Sequence, residues 1–394
     1  MYNTGPQSPF NMPNRVPTVA RSSSPMTVVQ LMPAMHSGGA ERSTLEIASA
    51  LVAAGHRSVV ISAGGRLVHK LEEGGSRHIT LDIGRKSLGV FGKVRALRRL
   101  LREIKPDIVH ARSRMPAWLG YLALRGMKPR PHFVTTVHGL NSPGFYSRIM
   151  LRGDRVIAVS QSVRDYVIKH YPDFDRSRLE VIPRGVDSAA FPYGYRPEDE
   201  WRERFFSEYP QLDAFPLLTL PGRGTRLKGH DDAIELLAGL HSRGIEARLL
   251  LLGVIEPGRE AYVAELRQRI SARGMDDKVV MTPPRDDVRD IFAVSSLILQ
   301  LSNKPESFGR TVIEALSLCR PVLGYAHGGV GELLAELYPA GRVPLGDKER
   351  LVERAAELLR LAPSIAPLDR YRLQDMQMDV LRLYDELLTH TDTD

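Results

Sequence analysis

The sequence holds one cysteine, Cys319, among 394 residues. No intrachain disulfide can form, which suits a reducing compartment. Cys319 ends the apolar stretch Ala315-Leu316-Ser317-Leu318-Cys319 and reads as a buried small hydrophobe. No stretch approaches the ~18 continuous apolar residues of a membrane span. The N-terminus lacks the apolar segment of a signal peptide: residues 1–25 carry five prolines with several Ser and Asn and read as a disordered leader. No block of Lys and Arg is interleaved with aromatics, which argues against a nucleic-acid partner. No G-x-G-x-x-G follows a strand, which argues against a dinucleotide-dependent dehydrogenase. No D-x-D stands at a predicted strand end, so no metal site is expected. These absences lead to the expectation of a cytoplasmic protein.

Apolar residues make up 43% and charged residues 25% of the chain, and 54 Lys+Arg against 46 Asp+Glu leave a net charge of +8. That length and balance allow two domains with ordinary cores. A modest basic excess suits anionic small molecules or an anionic surface. Apolar runs at 27–35, 56–62, 107–110, 132–137 and 155–159 alternate with helical patterns at 40–54, 91–104, 116–125 and 161–170. The segment 191–215, rich in Pro, Tyr, Asp and Glu, reads as a connection. The pattern then restarts, with strands at 217–221, 246–252, 278–281, 297–301 and 321–325 and a helix over about 229–243. Strands alternating with helices predict an α/β fold with mainly parallel sheets. Two such halves predict two Rossmann-like domains facing a central cleft, at 26–194 and 195–367. An amphipathic helix over 368–390 is free to cap either. Ligands of such sheets bind beyond the carboxyl ends of the strands.

Chemistry-bearing residues cluster at those ends. Glu306 follows the strand ending at Leu301, in Lys304-Pro305-Glu306-Ser307-Phe308-Gly309, and Glu314 comes eight residues later. Eight residues are ~2.2 helical turns, so the two carboxylates are expected on one face. Ionised carboxylates are acceptors suited to vicinal hydroxyls. Backbone amides at Ser307, Phe308 and Gly309 are expected to open a helix toward the crevice. Gly222-Arg223-Gly224-Thr225-Arg226-Leu227-Lys228-Gly229 follows another strand. Its glycines permit close approach, and Arg223 and Lys228 supply charge for a diphosphate. His327-Gly328-Gly329-Val330-Gly331-Glu332 is a further strand-to-helix turn able to cradle phosphate through its amides. In the first half, Ser37-Gly38-Gly39-Ala40-Glu41-Arg42 follows the first strand, and His138 stands at the end of Thr135-Thr136-Val137.

The Glu306 to Glu314 segment, E-S-F-G-x-x-x-x-E-A, resembles the signature of the retaining glycosyltransferases of the GT-B fold, family 4 (glycosyl transferases group 1). The resemblance extends over roughly 27–365 and is strongest in the second half. It implies that Glu306 contacts hydroxyls of a donor sugar and Glu314 the ribose of its nucleotide. Ser307, Phe308, Gly309, Gly328 and Gly329 belong with them as donor-binding residues. Arg223 and Lys228 match the family's G-R-x-x-x-x-K-G turn, which holds the diphosphate as it leaves. The Gly38-Gly39 loop resembles the family's first glycine loop, which places Gly39 near donor phosphate and Gly38 and Glu41 near the acceptor. His138 occupies a position where many members have a histidine. One departure stands out: Ile182-Pro183-Arg184-Gly185-Val186-Asp187 carries Arg184 where the family has Asn. Arg184 suits an anionic acceptor group or a solvent-facing position equally.

The function implied is transfer of a hexosyl group from a nucleoside diphosphate sugar, a UDP-sugar by first choice, to a glycan or glycolipid. Lipopolysaccharide core or exopolysaccharide synthesis is the implied setting. His138, Arg223, Lys228 and Glu306 would be catalytic, and no cofactor or metal would be required. A sugar-nucleotide 2-epimerase of the same fold and a non-catalytic sugar-nucleotide-binding protein are the alternatives. The stretch Lys93 to Arg102 reads as a helix that is basic on one side and apolar on the other. It suits either a solvated core helix or contact with an anionic membrane's inner face.

Overall fold

The computed structural model describes residues 24–36, 38–85, 88–361 and 363–389. Most of the expected leader, residues 1–23, lies outside them, as do Ser37 and His390. Two all-parallel sheets form, each doubly wound. The first holds β1 (Thr27–Leu31), β2 (Arg57–Ser62), β3 (Arg77–Thr80), β4 (Ile108–Ala111), β5 (His132–Val137), β6 (Arg155–Ala158) and β7 (Leu179–Val181). The second holds β8 (Leu217–Pro221), β9 (Arg248–Leu252), β10 (Val279–Met281), β11 (Leu297–Gln300), β12 (Val322–Tyr325) and β13 (Arg342–Val343). Their orders are β3-β2-β1-β4-β5-β6-β7 and β10-β9-β8-β11-β12-β13. In both the order reverses beside the first strand, between β1 and β4 and between β8 and β11. These are the switch points where such sheets open a crevice.

The central strands follow from composition. A parallel strand covered on both faces reads as an unbroken apolar run, and Leu249, Leu250 and Leu251 in β9 are each fully buried. Each such leucine contributes roughly 1.5–3 kcal/mol. The unforeseen strands β3, β7 and β13 lie outside the central runs, β3, β7 and β13 at sheet edges. β3 and β7 are half-exposed and carry no apolar run. Helix Gln161–His170 lies where the pattern predicts, and its N-cap Ser160 accepts from the Val163 amide at 3.1 Å.

The segment expected as a plain connection contains a helix, Asp199–Glu208. Trp201 stacks on the buried Phe205 and donates through Nε1 to Asp287 Oδ2 at 3.0 Å, which fastens that helix to the second half. The last helix, Leu373–Thr389, returns to the first half. Met376, Val380, Leu383 and Tyr384 pack there against Val28, Ile108, Val134 and Ile157. Cys319 is half-buried rather than buried. It occupies a left-handed turn (φ 61°) and its thiol faces the Ile365 carbonyl at 3.7 Å. Among the described residues no helix is long and apolar enough to cross a membrane. The basic helix forms over Lys93–Ile104 with Leu97, Leu101 and Ile104 buried. Two of its arginines are spent locally: Arg98 donates to the carbonyls of Leu122 and Ala123 at 2.8 and 2.9 Å, and Arg102 to that of Gly126 at 3.0 Å. They satisfy carbonyls at and just beyond the end of helix Arg114–Leu124.

Candidate active site

The second half brings three turns together at the carboxyl ends of β8, β11 and β12. Gly229 makes the first approach possible. Its φ is +76°, and a Cβ there would stand 2.0 Å from the Leu301 carbonyl oxygen at the end of β11. That packing puts Lys228 Nζ 2.6 Å from Glu306 Oε1. Ser302 Oγ also donates to that oxygen. Gly328 and Gly329 close against the same loop, since Cβ atoms there would meet Glu306 O at 2.6 Å and Phe308 Cα at 2.4 Å. The Gly329 amide donates to Glu306 O at 2.8 Å. This corrects the expectation for the Gly329 amide, which is already committed to the Glu306 carbonyl, and both glycines are needed for packing.

Glu306 and Glu314 do not share a helix face. The helix starts at Arg310 with Gly309 as its N-cap, which leaves Glu306 in the loop before it. Glu314 is buried and pairs with Arg42 of the first half, Nη1 to Oε1 at 2.8 Å. Arg310 lies 3.6 Å from the same oxygen and forms a two-pronged pair with Glu46, at 3.1 and 2.6 Å. Arg42, Glu46, Arg310 and Glu314 thus form an alternating charge cluster joining the halves. Phe308 is buried against the Tyr371 ring, 5.9 Å between centroids, and serves as core. Arg223 is exposed, and Arg226 is held by Glu265 at 2.6 Å.

Further hydrogen bonds join the halves. Ser307 Oγ donates to the His138 carbonyl at 2.6 Å, and Ser160 Oγ donates to the Ser307 carbonyl at 2.6 Å. Glu332 accepts from the amides of Gln161 and Ser162 at 3.1 and 2.9 Å. It thereby caps helix Gln161–His170, where backbone donors and the helix dipole favour a carboxylate.

In the first half, the carboxyl ends of β1, β4 and β5 surround a cavity of about 260 Å³. His138, Arg112, Ser113, Arg114, Glu41 and Met32 are among its lining residues. Arg184 is buried, so it does not face solvent, and it is not among the residues lining this cavity. Its Nη2 donates to His138 Nδ1 at 3.2 Å and its Nη1 faces Met376 Sδ at 3.7 Å. A guanidinium has no lone pair to offer, so Nδ1 is the acceptor and the ring proton sits on Nε2. Burial, then the charges of Arg184 and Arg112, hold the His138 pKa well below its ordinary value. His138 is therefore a neutral ring with an N–H to donate, and Nε2 has no partner among the described residues. Behind it His110 bridges Tyr384 Oη at 2.6 Å and Thr136 Oγ1 at 2.7 Å. A larger groove of about 420 Å³, lined by Trp118, Phe145 and Arg148 among others, contains none of the candidate residues.

Sequence reasoning passed over Arg42, Glu46, Arg310 and Arg112. For the first three the signal was absent, because their partners lie 264 to 272 residues away in the chain. Arg112 was within reach: it immediately follows β4, beside the switch point.

The Glycosyltransferase Family 4 profile matches residues 37–190, and the Glycosyl transferases group 1 profile matches residues 202–371. The chain is 31% identical over 183 residues to mannosylfructose-phosphate synthase of Agrobacterium fabrum, a match covering 45% of this chain and 38% of that protein. Its matches to three such curated relatives span between 38% and 65% of their length. Among solved structures it is similar to a glycosyltransferase of Rickettsia africae, with a TM-score of 0.82 and 27% identity over 92% of this chain and 99% of that one. It also shares the fold of Anabaena HepE in complex with UDP and glucose, with a TM-score of 0.78 and 20% identity over 92% of this chain and 100% of that one. One profile falls on each sheet, the two together take in most of the chain, and the switch-point crevices face each other across the Ser307–His138 contact: the chain belongs to the family 4, group 1 glycosyl transferases of the GT-B fold.

Proposed function

We propose that the chain transfers a hexosyl group, with retention of configuration, from a nucleoside diphosphate sugar to an acceptor hydroxyl. The observation that carries this is the Lys228–Glu306 pair at 2.6 Å, on a loop whose next residue touches the backbone of His138. This reading sets the Lys228 cation and the Glu306 carboxylate on one wall of the cleft and the neutral His138 ring on the other. In this reading Lys228, with Arg223 swinging in from solvent, takes the diphosphate. Glu306 grips sugar hydroxyls. Glu314 grips the ribose through Oε2, since Arg42 and Arg310 both contact Oε1.

The bond between the anomeric carbon and the phosphate oxygen breaks, and its electron pair goes to that oxygen. Lys228 and Arg223 neutralise the charge as it develops, so the reading calls for no metal ion. The acceptor oxygen attacks the same face and forms the new bond, and its proton passes to the departing phosphate oxygen. His138, with its proton on Nε2, orients a sugar or acceptor hydroxyl as a donor rather than removing a proton. The pairs joining the halves hold the cleft shut against water.

UDP-sugars are the first choice of donor, which agrees with the UDP and glucose bound in the Anabaena neighbour. A glycan or glycolipid of the kind assembled in lipopolysaccharide core or exopolysaccharide is the proposed acceptor. A cytoplasmic location at the membrane's inner face is the proposed setting. Incubation with UDP-, GDP- and ADP-sugars and an acceptor panel tests it. Glu306→Ala and Lys228→Ala should each abolish transfer while the protein stays folded. Near-normal transfer by either variant, or an epimerised sugar formed from donor alone, overturns the reading.

A further inference from the structure

Two helices meet across the cleft with matching charge pairs. Helix Gly39–Ala53 of the first half carries Arg42 and Glu46, and helix Arg310–Ser317 of the second carries Arg310 and Glu314. Both pairs have the four-residue spacing at which side chains on one helix face meet. The four close into a ring of alternating sign. Arg42 reaches Glu314 at 2.8 Å and Glu46 at 3.6 Å, and Arg310 reaches Glu46 at 2.6 Å and Glu314 at 3.6 Å. The side chains of Arg310, Glu46 and Glu314 are only 14%, 11% and 9% exposed.

The two carboxylates are treated unequally. A guanidinium is a planar fork that takes both oxygens of one carboxylate. Arg310 aims its fork at Glu46 on the far wall, Nη1 to Oε2 at 3.1 Å and Nη2 to Oε1 at 2.6 Å, rather than at Glu314 one turn along its own helix. Its Nε alone is turned to Glu314 Oε1, the oxygen that Arg42 also meets. Both first-half residues are braced: Gln377 Nε2 donates to the Glu46 carbonyl at 2.9 Å, and the Arg42 guanidinium lies 5.7 Å from the centre of the Phe191 ring. Ion pairs withdrawn from water add little to stability, so stability alone does not account for a ring built around the carboxylate that would hold the ribose.

We propose that Glu46 is a positioning residue for donor binding: it draws the Arg310 fork across the cleft, keeps it from closing on both oxygens of Glu314, and so leaves Oε2 to a ribose hydroxyl. The inference rests on the glycosyltransferase reading above and adds a first-half residue on which selection of a ribonucleotide depends. Without Glu46 the freed fork turns along its own helix to Glu314, and that carboxylate has less to offer the ribose. Preference for a ribonucleoside over a deoxyribonucleoside diphosphate is then a property of the docked halves, not of the second half alone.

The test compares whichever of UDP, GDP and ADP binds best with its 2′,3′-dideoxy counterpart, by calorimetry on the full chain. The wild type should prefer the ribose form at least tenfold. Glu46→Gln should cut that preference at least fivefold, by weakening the ribose form and leaving the dideoxy form unaltered. Removing the fork as well should relieve the damage: Glu46→Gln combined with Arg310→Met should prefer ribose at least threefold more strongly than Glu46→Gln alone, because Arg42 still holds Oε1. Glu332→Gln, which weakens another contact between the halves, should leave the preference within twofold of wild type. In turnover, Glu46→Gln should raise the donor KM at least fivefold with kcat at saturating donor within threefold. Should Glu46→Gln fail to fold, Glu46→Asp, whose shorter reach loosens the fork, takes its place with a loss of at least twofold.

An unchanged preference in the Glu46 variant overturns the proposal. So does a loss that Arg310→Met deepens or fails to relieve, which is what a merely structural ring would give, and so does an equal loss in Glu332→Gln. A wild type that binds no nucleoside diphosphate, or binds the ribose and dideoxy forms alike, overturns the donor reading itself; a wild type that prefers ribose no more than Glu46→Gln does, while Glu314→Ala loses that preference, overturns this inference alone.

Discussion

Lys228 and Glu306 form the pair on which the chemistry is proposed to turn, and two magnitudes separate a catalytic pair from a merely structural one. Their charges stand 2.6 Å apart, with side chains 27% and 24% exposed. Coulomb's law gives about 6 kcal/mol at an effective dielectric of 20 and about 1.6 kcal/mol in bulk water. Solvent screening and side-chain ordering reduce exposed pairs to about 0.2–1 kcal/mol. Ser302 still donates to Glu306 when Lys228 is removed. Lys228→Met should therefore cost no more than about 1 kcal/mol in urea unfolding. Loss of one preorganised group that stabilises developing charge costs about 2.7–4 kcal/mol, or 10²–10³ in kcat. The assay is release of nucleoside diphosphate at saturating donor, set beside urea midpoints, for Lys228→Met, Glu306→Gln and the double variant. The expected result is a kcat loss of at least ~100-fold in each single variant with near-native midpoints. A double variant far less impaired than the product of the singles would show that they act as a unit. Lys228→Met retaining more than a tenth of wild-type kcat refutes the reasoning, and so does a rate loss that merely tracks unfolding.

Three further outcomes follow. Gly229→Ala places a Cβ 2.0 Å from the Leu301 carbonyl at φ +76°, and should cost more than about 2 kcal/mol in urea unfolding while shifting Lys228 and lowering kcat. The buried His230, held down to about 4 by burial and by Lys228, binds its proton more weakly folded than unfolded. Stability should accordingly be intact above pH 6.5 and fall between 6.5 and 4, with about 2 kcal/mol lost between pH 7 and 5; His230→Gln should flatten that part of the curve in unfolding titrations. His110 and His138, also held low by burial, act in the same direction. Treatment with EDTA followed by gel filtration should leave turnover within twofold of the untreated protein, and restoration of lost activity by an added divalent ion would refute the assignment of charge stabilisation to Lys228 and Arg223.

The central strands were legible because a parallel strand buried on both faces needs an unbroken apolar run, as Leu249 to Leu252 supply. Edges such as Arg77–Thr80 face solvent on one side, so their sequence carries no such mark. The glycine turns were legible as turns, yet not in what they do. Gly329 reads as a phosphate cradle until its amide is seen on the Glu306 carbonyl. The two carboxylates proposed to hold the donor stand out in one short motif, but their partners do not, because Arg42 reaches Glu314 across 272 residues. Arg184 shows the same limit. Its departure from the family pattern was visible, whereas its contact with His138 Nδ1 depends on how two loops meet. Local pattern encodes strands and turns; charge pairs between halves are set by the docking of two sheets.

The measurement closest to the central claim is calorimetric titration of UDP, GDP and ADP into the wild type and Glu314→Ala. The account predicts saturable one-site binding of at least one diphosphate, weakened at least tenfold by the substitution and by removal of the ribose hydroxyls from the ligand. No saturable binding of any of the three, or equal binding by Glu314→Ala, would contradict it.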